Sequence, residues 1–295
     1  MPLVVLSLIF LVLQGCKQKN ENSDTPSITF TSPVKVLING YNGNAMEPFI
    51  SRDGSILFFN KLNAAPENTN IHWAKKVNDS VFDYQGEVNG INTAALEGVP
   101  TMDQSGDFYF VSTRSYSTTL SSLYYAKFSG GNSTDVQLVK GVSKVQSGWI
   151  NFDVEVSQDG STLYFVDGVI GQSGIPTVAD LAIAQGSDSL FTRMSNSSEI
   201  LKNINTGDLE FAACISTNQL ELYFTRIILP ITASSAPQIF VSTRENINQP
   251  FKNPQKLESL GTFVEAATIA PDQRTLYYHR KEGDKFALYM IRRKS

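Results

Sequence analysis

The chain has 295 residues, 41% of them hydrophobic and 11% aromatic, and a formal charge of −4. That length can bury a sizeable core, and the aromatic content excludes a largely disordered chain. The acidic balance argues against a nucleic-acid partner, which usually demands a basic face.

Leu3 to Leu13 is almost wholly apolar. Such a run is too short to span a bilayer but suits the core of a signal peptide. It ends in Leu13-Gln14-Gly15-Cys16, which resembles the lipobox of bacterial lipoproteins, with Gln14 in place of the commoner small residue. The resemblance implies a signal peptide over 1–15 and lipidation of Cys16. The plainer alternative is a secretory signal with an incidental cysteine. Residues 16–27 read as the lipidated Cys and a flexible polar tether. The implied location is the bacterial cell envelope, lipid-anchored and extracytoplasmic, at the outer membrane or periplasmic face.

From residue 28 onward a unit recurs. Its first copy is Glu47-Pro48-Phe49-Ile50-Ser51-Arg52-Asp53-Gly54-Ser55-Ile56-Leu57-Phe58-Phe59. Asp-Gly between two apolar runs is a hairpin signal, because Gly tolerates φ > 0 and Asp bonds its own backbone. Later copies open at Glu97, Asp153, Glu210 and Glu265, so the acids are spaced 50, 56, 57 and 55 residues apart. Each interval has room for two more strands, such as Ser122 to Lys127 and Val136 to Lys140 in the second unit. Four short strands per unit at this period predict a β-propeller. Only 30 residues follow Glu265, enough for three strands. The segment Ile28 to Ile38 is therefore predicted to supply the outer strand of the last blade and close the ring. The expected fold is all-β: a five-bladed β-propeller of four-stranded antiparallel blades over residues 28–295, closed by an N-terminal strand.

Ser51 to Phe59, and Ala270-Pro271-Asp272-Gln273-Arg274-Thr275-Leu276-Tyr277-Tyr278, resemble the Ser-Pro-Asp-Gly-Lys-x-Leu-x-Phe repeat of WD40-like propellers of the TolB type. The fourth copy, Ser216-Thr217-Asn218-Gln219, has lost both Pro and Gly. The resemblance implies a non-enzymatic binding or scaffold module of the cell envelope, presenting one disc face to a protein, peptide or glycan. It further implies a monomer that meets the membrane only through its lipid anchor. TolB itself usually has six blades, whereas five-bladed rings are typical of certain glycosidases. The alternative is thus a carbohydrate-active, glycoside hydrolase-like enzyme using carboxylates at the channel mouth. A third reading is a cation-binding structural domain.

The opening acids Glu47, Glu97, Asp153, Glu210 and Glu265 begin the innermost strands, so they are expected to ring one mouth of the central channel. Arg114, Arg226 and Arg280 end the second strands at the same mouth. The set reads either as an ion-pair ring that aligns the blades or as a ligand site. Paired carboxylates about 5–10 Å apart are what a glycosidase needs. An acid in every unit points instead to a repeat feature, so no catalytic residue is assigned. Asp53, Asp159 and Asp272 are expected to serve their turns. His72 and His279 fall in different blades without metal-ligand spacing, and neither metal nor cofactor is expected. No Gly-x-Ser-x-Gly elbow or phosphate-cradling loop occurs. Cys214 reads as a small core residue. Trp149 and Phe152 read as packing, or as a stacking surface for a sugar or peptide. The aromatic pairs from Phe58-Phe59 to Tyr277-Tyr278 read as blade core. The longest loops, Ser115 to Ser121, Gly168 to Thr177 and Ile227 to Ala236, should share one face of the disc.

Overall fold

The computed structural model describes residues 28–62, 69–172, 174–232, 234–258 and 260–294. The expected signal peptide, Cys16 and tether lie outside these residues. The chain forms five small, mainly antiparallel sheets arranged as a five-bladed propeller. Blade 1 runs outward through Met46–Ile50, Ile56–Asn60, Ile71–Asn78 and Val81–Glu87. Blade 2 uses Glu97–Met102, Asp107–Ser112, Leu123–Ser129 and Asn132–Leu138. Blade 3 uses Val154–Val156, Thr162–Ile170, Pro176–Ser187 and Leu190–Arg193, with Trp149–Ile150 extending its inner edge. Blade 4 uses Leu209–Ile215, Glu221–Ile227, Gln238–Thr243 and Gln255–Lys256. Blade 5 uses Val264–Ile269, Thr275–Glu282 and Lys285–Arg292, and takes Val34–Lys35 as its outer strand.

Ring closure is thus as predicted, with one refinement. Val34 and Lys35 pair antiparallel with Met290 and Tyr289 of blade 5. Leu37–Asn39, which follows at once, pairs parallel with Val81, Phe82 and Asp83 of blade 1. One short segment therefore stitches both sides of the seam and covers the edge that each blade would expose.

The core is divided among the blade interfaces. Five hydrophobic clusters each combine residues of two adjacent blades, from Phe58 with Phe108 and Phe110 between blades 1 and 2 to Tyr277 with Phe59 and Phe82 across the seam. The second-strand pairs alternate faces: Phe58 faces blade 2, and Phe59 faces blade 5. That alternation is why every unit carries two adjacent aromatics. Both members are fully buried in blade 1.

The turn between first and second strands behaves as its sequence predicts. Asp53 accepts bonds from Ser51 Oγ at 2.5 Å and from the Ser55 amide at 3.0 Å. Asp159 repeats this with Ser157 and Ser161, and Asp272 with Arg274 and Thr275. Partial burial would raise these carboxyls, but the converging N–H and O–H donors hold all three below the usual range. Asn218 does the same work in blade 4, accepting from Ser216 Oγ and Leu220 N. Cys214 is buried in an innermost strand, where its Sγ accepts the Ile269 amide of the next blade at 3.2 Å, and burial pushes its thiol pKa up.

Candidate active site at the channel mouth

Registers sort the opening acids into three classes. The second-strand residues Phe58, Tyr109, Tyr164, Tyr223 and Tyr277 are equivalent, and their innermost-strand partners are Phe49, Thr101, Glu155, Cys214 and Thr268. Two residues before those partners lie Glu47, Val99, Asp153, Ala212 and Ala266. Glu265 stands three before its reference residue, and Glu97 and Glu210 stand four before theirs. The five acids are therefore not one ring, which corrects the expectation from the repeat. The physical reason is a β-bulge in the innermost strands of blades 1, 2, 4 and 5. At each bulge a non-glycine residue, Glu47, Val99, Ala212 or Ala266, takes the left-handed region with φ of 49–54°. Each bulge adds one residue, so faces follow the pairing: Glu265, opposite His279, lies two pairing steps from its reference pair and keeps the face of Asp153, whereas Glu97 and Glu210, opposite Ser112 and Arg226, lie three steps from theirs and take the other face.

Glu97 and Glu210 turn into their blades, away from the mouth, and are fully buried. Glu97 accepts from Thr93 N and Oγ1, both at 2.8 Å, from Ser112 Oγ at 2.7 Å and from Arg114 Nη2 at 3.1 Å. Glu210 accepts from Thr206 N at 3.1 Å, Thr206 Oγ1 at 2.6 Å and Arg226 Nε at 2.7 Å. The two arginines also donate to the carbonyls of Ile91 and Ile204. Arg114 and Arg226 are thus clasps inside a blade. The sequence signal is the repeated heptad Ile91-Asn-Thr-Ala-Ala-Leu-Glu97 and Ile204-Asn-Thr-Gly-Asp-Leu-Glu210. Blade 3 reaches the same end with Asn151 and Asp167, the latter held by Arg193. Among the described residues, Arg280 pairs with Glu282 at 3.4 Å and stacks over Tyr289.

Glu47, Asp153 and Glu265 remain, one each from blades 1, 3 and 5. All three line a single cavity of about 380 Å³ at the mouth. Its walls come from blades 2, 3 and 4, through Val99, Ile150, Phe152, Ile170, Phe211 and Ile227. Phe152 packs against Phe211 at 6.1 Å between centroids while lining the cavity, so packing is only part of its role. Trp149 is not on that wall; Lys144 covers its ring at 3.2 Å. Two of the three long loops contribute, with Ile170, Gly174 and Pro176 from one and Ile227 from the other. The first of these is mostly β-hairpin, because its strands run on to Ile170 and from Pro176.

Burial, and then the charge of Glu47, push the Asp153 carboxyl well above its usual range, against a hydrogen bond from the Ala212 amide. The same two causes raise Glu265 to about 8. His279, which the sequence reading left outside the site, supports this group. Its Nδ1 accepts the Glu47 amide at 3.0 Å, so Nε2 carries the proton. Among the described residues Nε2 has no hydrogen-bond partner; it is buried 3.6 Å from Glu265 Oε2. Burial lowers the imidazole to about 3, so the ring is neutral.

Below the mouth the channel narrows to a chamber of about 30 Å³, lined in part by Glu47, Asp153, Glu155 and Cys214. That is room for one water. The chamber floor is bridged by Arg52 of blade 1, which donates to Glu155 of blade 3 at 2.9 Å and to the carbonyls of Met102 and Val156. Thr101 Oγ1 donates to the other Glu155 oxygen at 2.6 Å. Among the described residues, no group of three His, Cys, Asp or Glu is placed to hold a metal ion.

By sequence, no protein-family model and no curated protein matches this chain. In three dimensions it is similar to an α-L-arabinofuranosidase from Podospora anserina, at 13% identity and TM-score 0.56, covering 91% of this chain and 97% of that one. It is similar to a glycoside hydrolase at 9% identity and TM-score 0.59, covering 91% and 93%. It is also similar to a family 117 glycoside hydrolase from the marine bacterium Zobellia galactanivorans, at 8% identity and TM-score 0.57, covering 90% of each chain. At these identities the likeness establishes the fold. The expected non-enzymatic scaffold is set aside, since the three similar structures named here are an α-L-arabinofuranosidase and two glycoside hydrolases.

Proposed function

We propose that the protein is a glycoside hydrolase acting at the channel mouth. The observation that carries this reading is the convergence of Glu47, Asp153 and Glu265, from three different blades, on one cavity. Glycoside hydrolysis needs a protonated acid beside the leaving oxygen and an ionised carboxylate for water or for the sugar carbon. Glu265, raised to about 8, is the acid. Glu47, whose negative charge both other carboxyls feel, is the base. Asp153 accepts a sugar hydroxyl and keeps the shared charge of the site low enough for Glu265 to hold its proton. The solved propellers with this architecture lend analogy to the reaction type and leave the sugar open.

The test is hydrolysis of a panel of aryl glycosides and oligosaccharides. Activity that falls about 10²–10⁴-fold in both Glu265→Gln and Glu47→Gln supports the assignment. A chain inert on the whole panel, or one whose activity survives both substitutions, refutes it.

Export and lipid anchoring at Cys16, and kinship with TolB-type repeats, rest on Leu13 to Cys16 and on the Asp-Gly turns. Labelling with a palmitate analogue that persists in a Cys16→Ala protein would rule out the anchor.

A further inference from the structure

The mouth cavity is divided by chemistry. Among the described residues, fourteen line it, and of these only Glu47, Thr113, Asp153 and Glu265 have polar side chains. The remaining wall, with Ile150, Phe152, Ile170, Pro176, Phe211 and Ile227, offers a ligand no side-chain hydrogen bond. Ile175 and Ile228, next in sequence to the lining residues Pro176 and Ile227, are 45% and 62% exposed.

A sugar presents hydroxyls around its ring. Each one buried without a partner costs about tenfold or more in affinity. One sugar unit can place hydroxyls on the carboxylates. A second unit on the Phe152–Phe211 wall would leave its hydroxyls unpaired. An apolar ring there loses nothing and removes its own surface, and that of the wall, from water.

We infer that this wall is a subsite for an apolar, aromatic aglycone, so that the substrate is a glycoside of a hydrophobic alcohol or phenol and not an oligosaccharide. The inference rests on the hydrolase reading for the name aglycone; the apolar subsite itself does not. In the reaction, Glu265 gives its proton to the glycosidic oxygen as the C1–O bond breaks. The neutral phenol or alcohol leaves along the wall. Water, losing its proton to Glu47, supplies the oxygen of the new C1–OH. The aglycone takes the apolar place in a cavity of about 380 Å³, within the range of small-molecule pockets.

The experiment measures calorimetric binding and turnover for matched methyl, phenyl and 2-naphthyl glycosides of several sugars, for disaccharides of the same sugars, and for 2-naphthol alone. Whichever sugar is preferred, its naphthyl glycoside should bind about tenfold or more tighter than its methyl glycoside or disaccharide. Free 2-naphthol should compete for the same site. In Phe211→Ala the naphthyl-to-methyl ratio should collapse. Ile170, 39% exposed, provides a second variant that leaves the core intact: Ile170→Asn should reduce the same ratio. Equal affinity for methyl and naphthyl forms, a disaccharide that binds best, or no binding of any aryl ligand overturns the inference. Aryl preference without turnover overturns the hydrolase reading and upholds the subsite; turnover with disaccharides preferred does the reverse.

Discussion

The amide of Glu47 donates to Nδ1 of His279 at 3.0 Å, across the seam between blades 1 and 5. This bond fixes the imidazole tautomer, and so aims an N–H at Glu265. When Glu265 gives up its proton, that N–H becomes a hydrogen-bond donor to the new carboxylate. His279→Phe removes it and should raise the Glu265 pKa further. The expected result is an alkaline limb of the pH–rate profile displaced upward, together with a lower maximal rate. An unmoved limb would leave His279 a packing residue only.

Glu265 also ties stability to pH. Its folded pKa of about 8 lies above the unfolded value near 4.3, so the unfolded chain releases the proton first. Stability is full below the unfolded pKa, falls as pH rises, and stops falling above about 8. Glu265→Gln should therefore stabilise the protein at pH 9 relative to pH 4 by on the order of 2–4 kcal/mol, read from denaturant midpoints. Activity, which needs the proton, should fall through the same upper window.

His72 and His279 work in the opposite direction. Burial lowers them to about 4 and about 3, beneath the unfolded value near 6.5. Their contribution is complete above pH 6.5 and is lost as pH falls through the folded values. His279→Phe should flatten the melting temperature between pH 6.5 and 4, as scanning calorimetry would reveal.

Glu97 and Glu210 should matter to folding and not to chemistry. Removing either carboxylate leaves Arg114 or Arg226 with a lost partner inside a blade. Glu97→Ala and Glu210→Ala are each expected to cost about 3–5 kcal/mol in chemical unfolding. The pH–rate profile of whatever folds should keep its shape.

Arg52 and Glu155 give a contrasting test. Their side chains are only 8% and 4% exposed. Arg52→Met alone leaves a buried carboxylate and should cost about 3–5 kcal/mol, whereas Arg52→Met with Glu155→Met should recover most of it. A double substitution as damaging as the single would mean that the bridge locks the channel floor.

The blades were legible in the sequence because their signals are local. Asp53-Gly54 makes its turn, and Phe58-Phe59 packs its two interfaces, through residues a few positions apart. The site was not legible as such, because it depends on which face each acid takes. Bulges at Glu47, Val99, Ala212 and Ala266 reset that face one blade at a time, and no residue type announces them. The acid-to-aromatic spacing held a partial clue. From Glu47 to Phe59, as from Asp153 to Phe165, is twelve residues, while the other three units run to thirteen or fourteen. His279 was hidden for a different reason. Its partner Glu47 lies 232 residues away, joined to it only by closure of the ring.

Closure also sets a timetable. Val34 meets Met290, and Lys35 meets Tyr289, so one of the first strands made must wait for one of the last. At about 5–20 residues per second, synthesis holds that strand unpaired for roughly 10–50 s. The seam that carries His279 and Glu47 is thus the last part of the molecule to become whole, and an interrupted chain would have four complete blades but no acid at position 265.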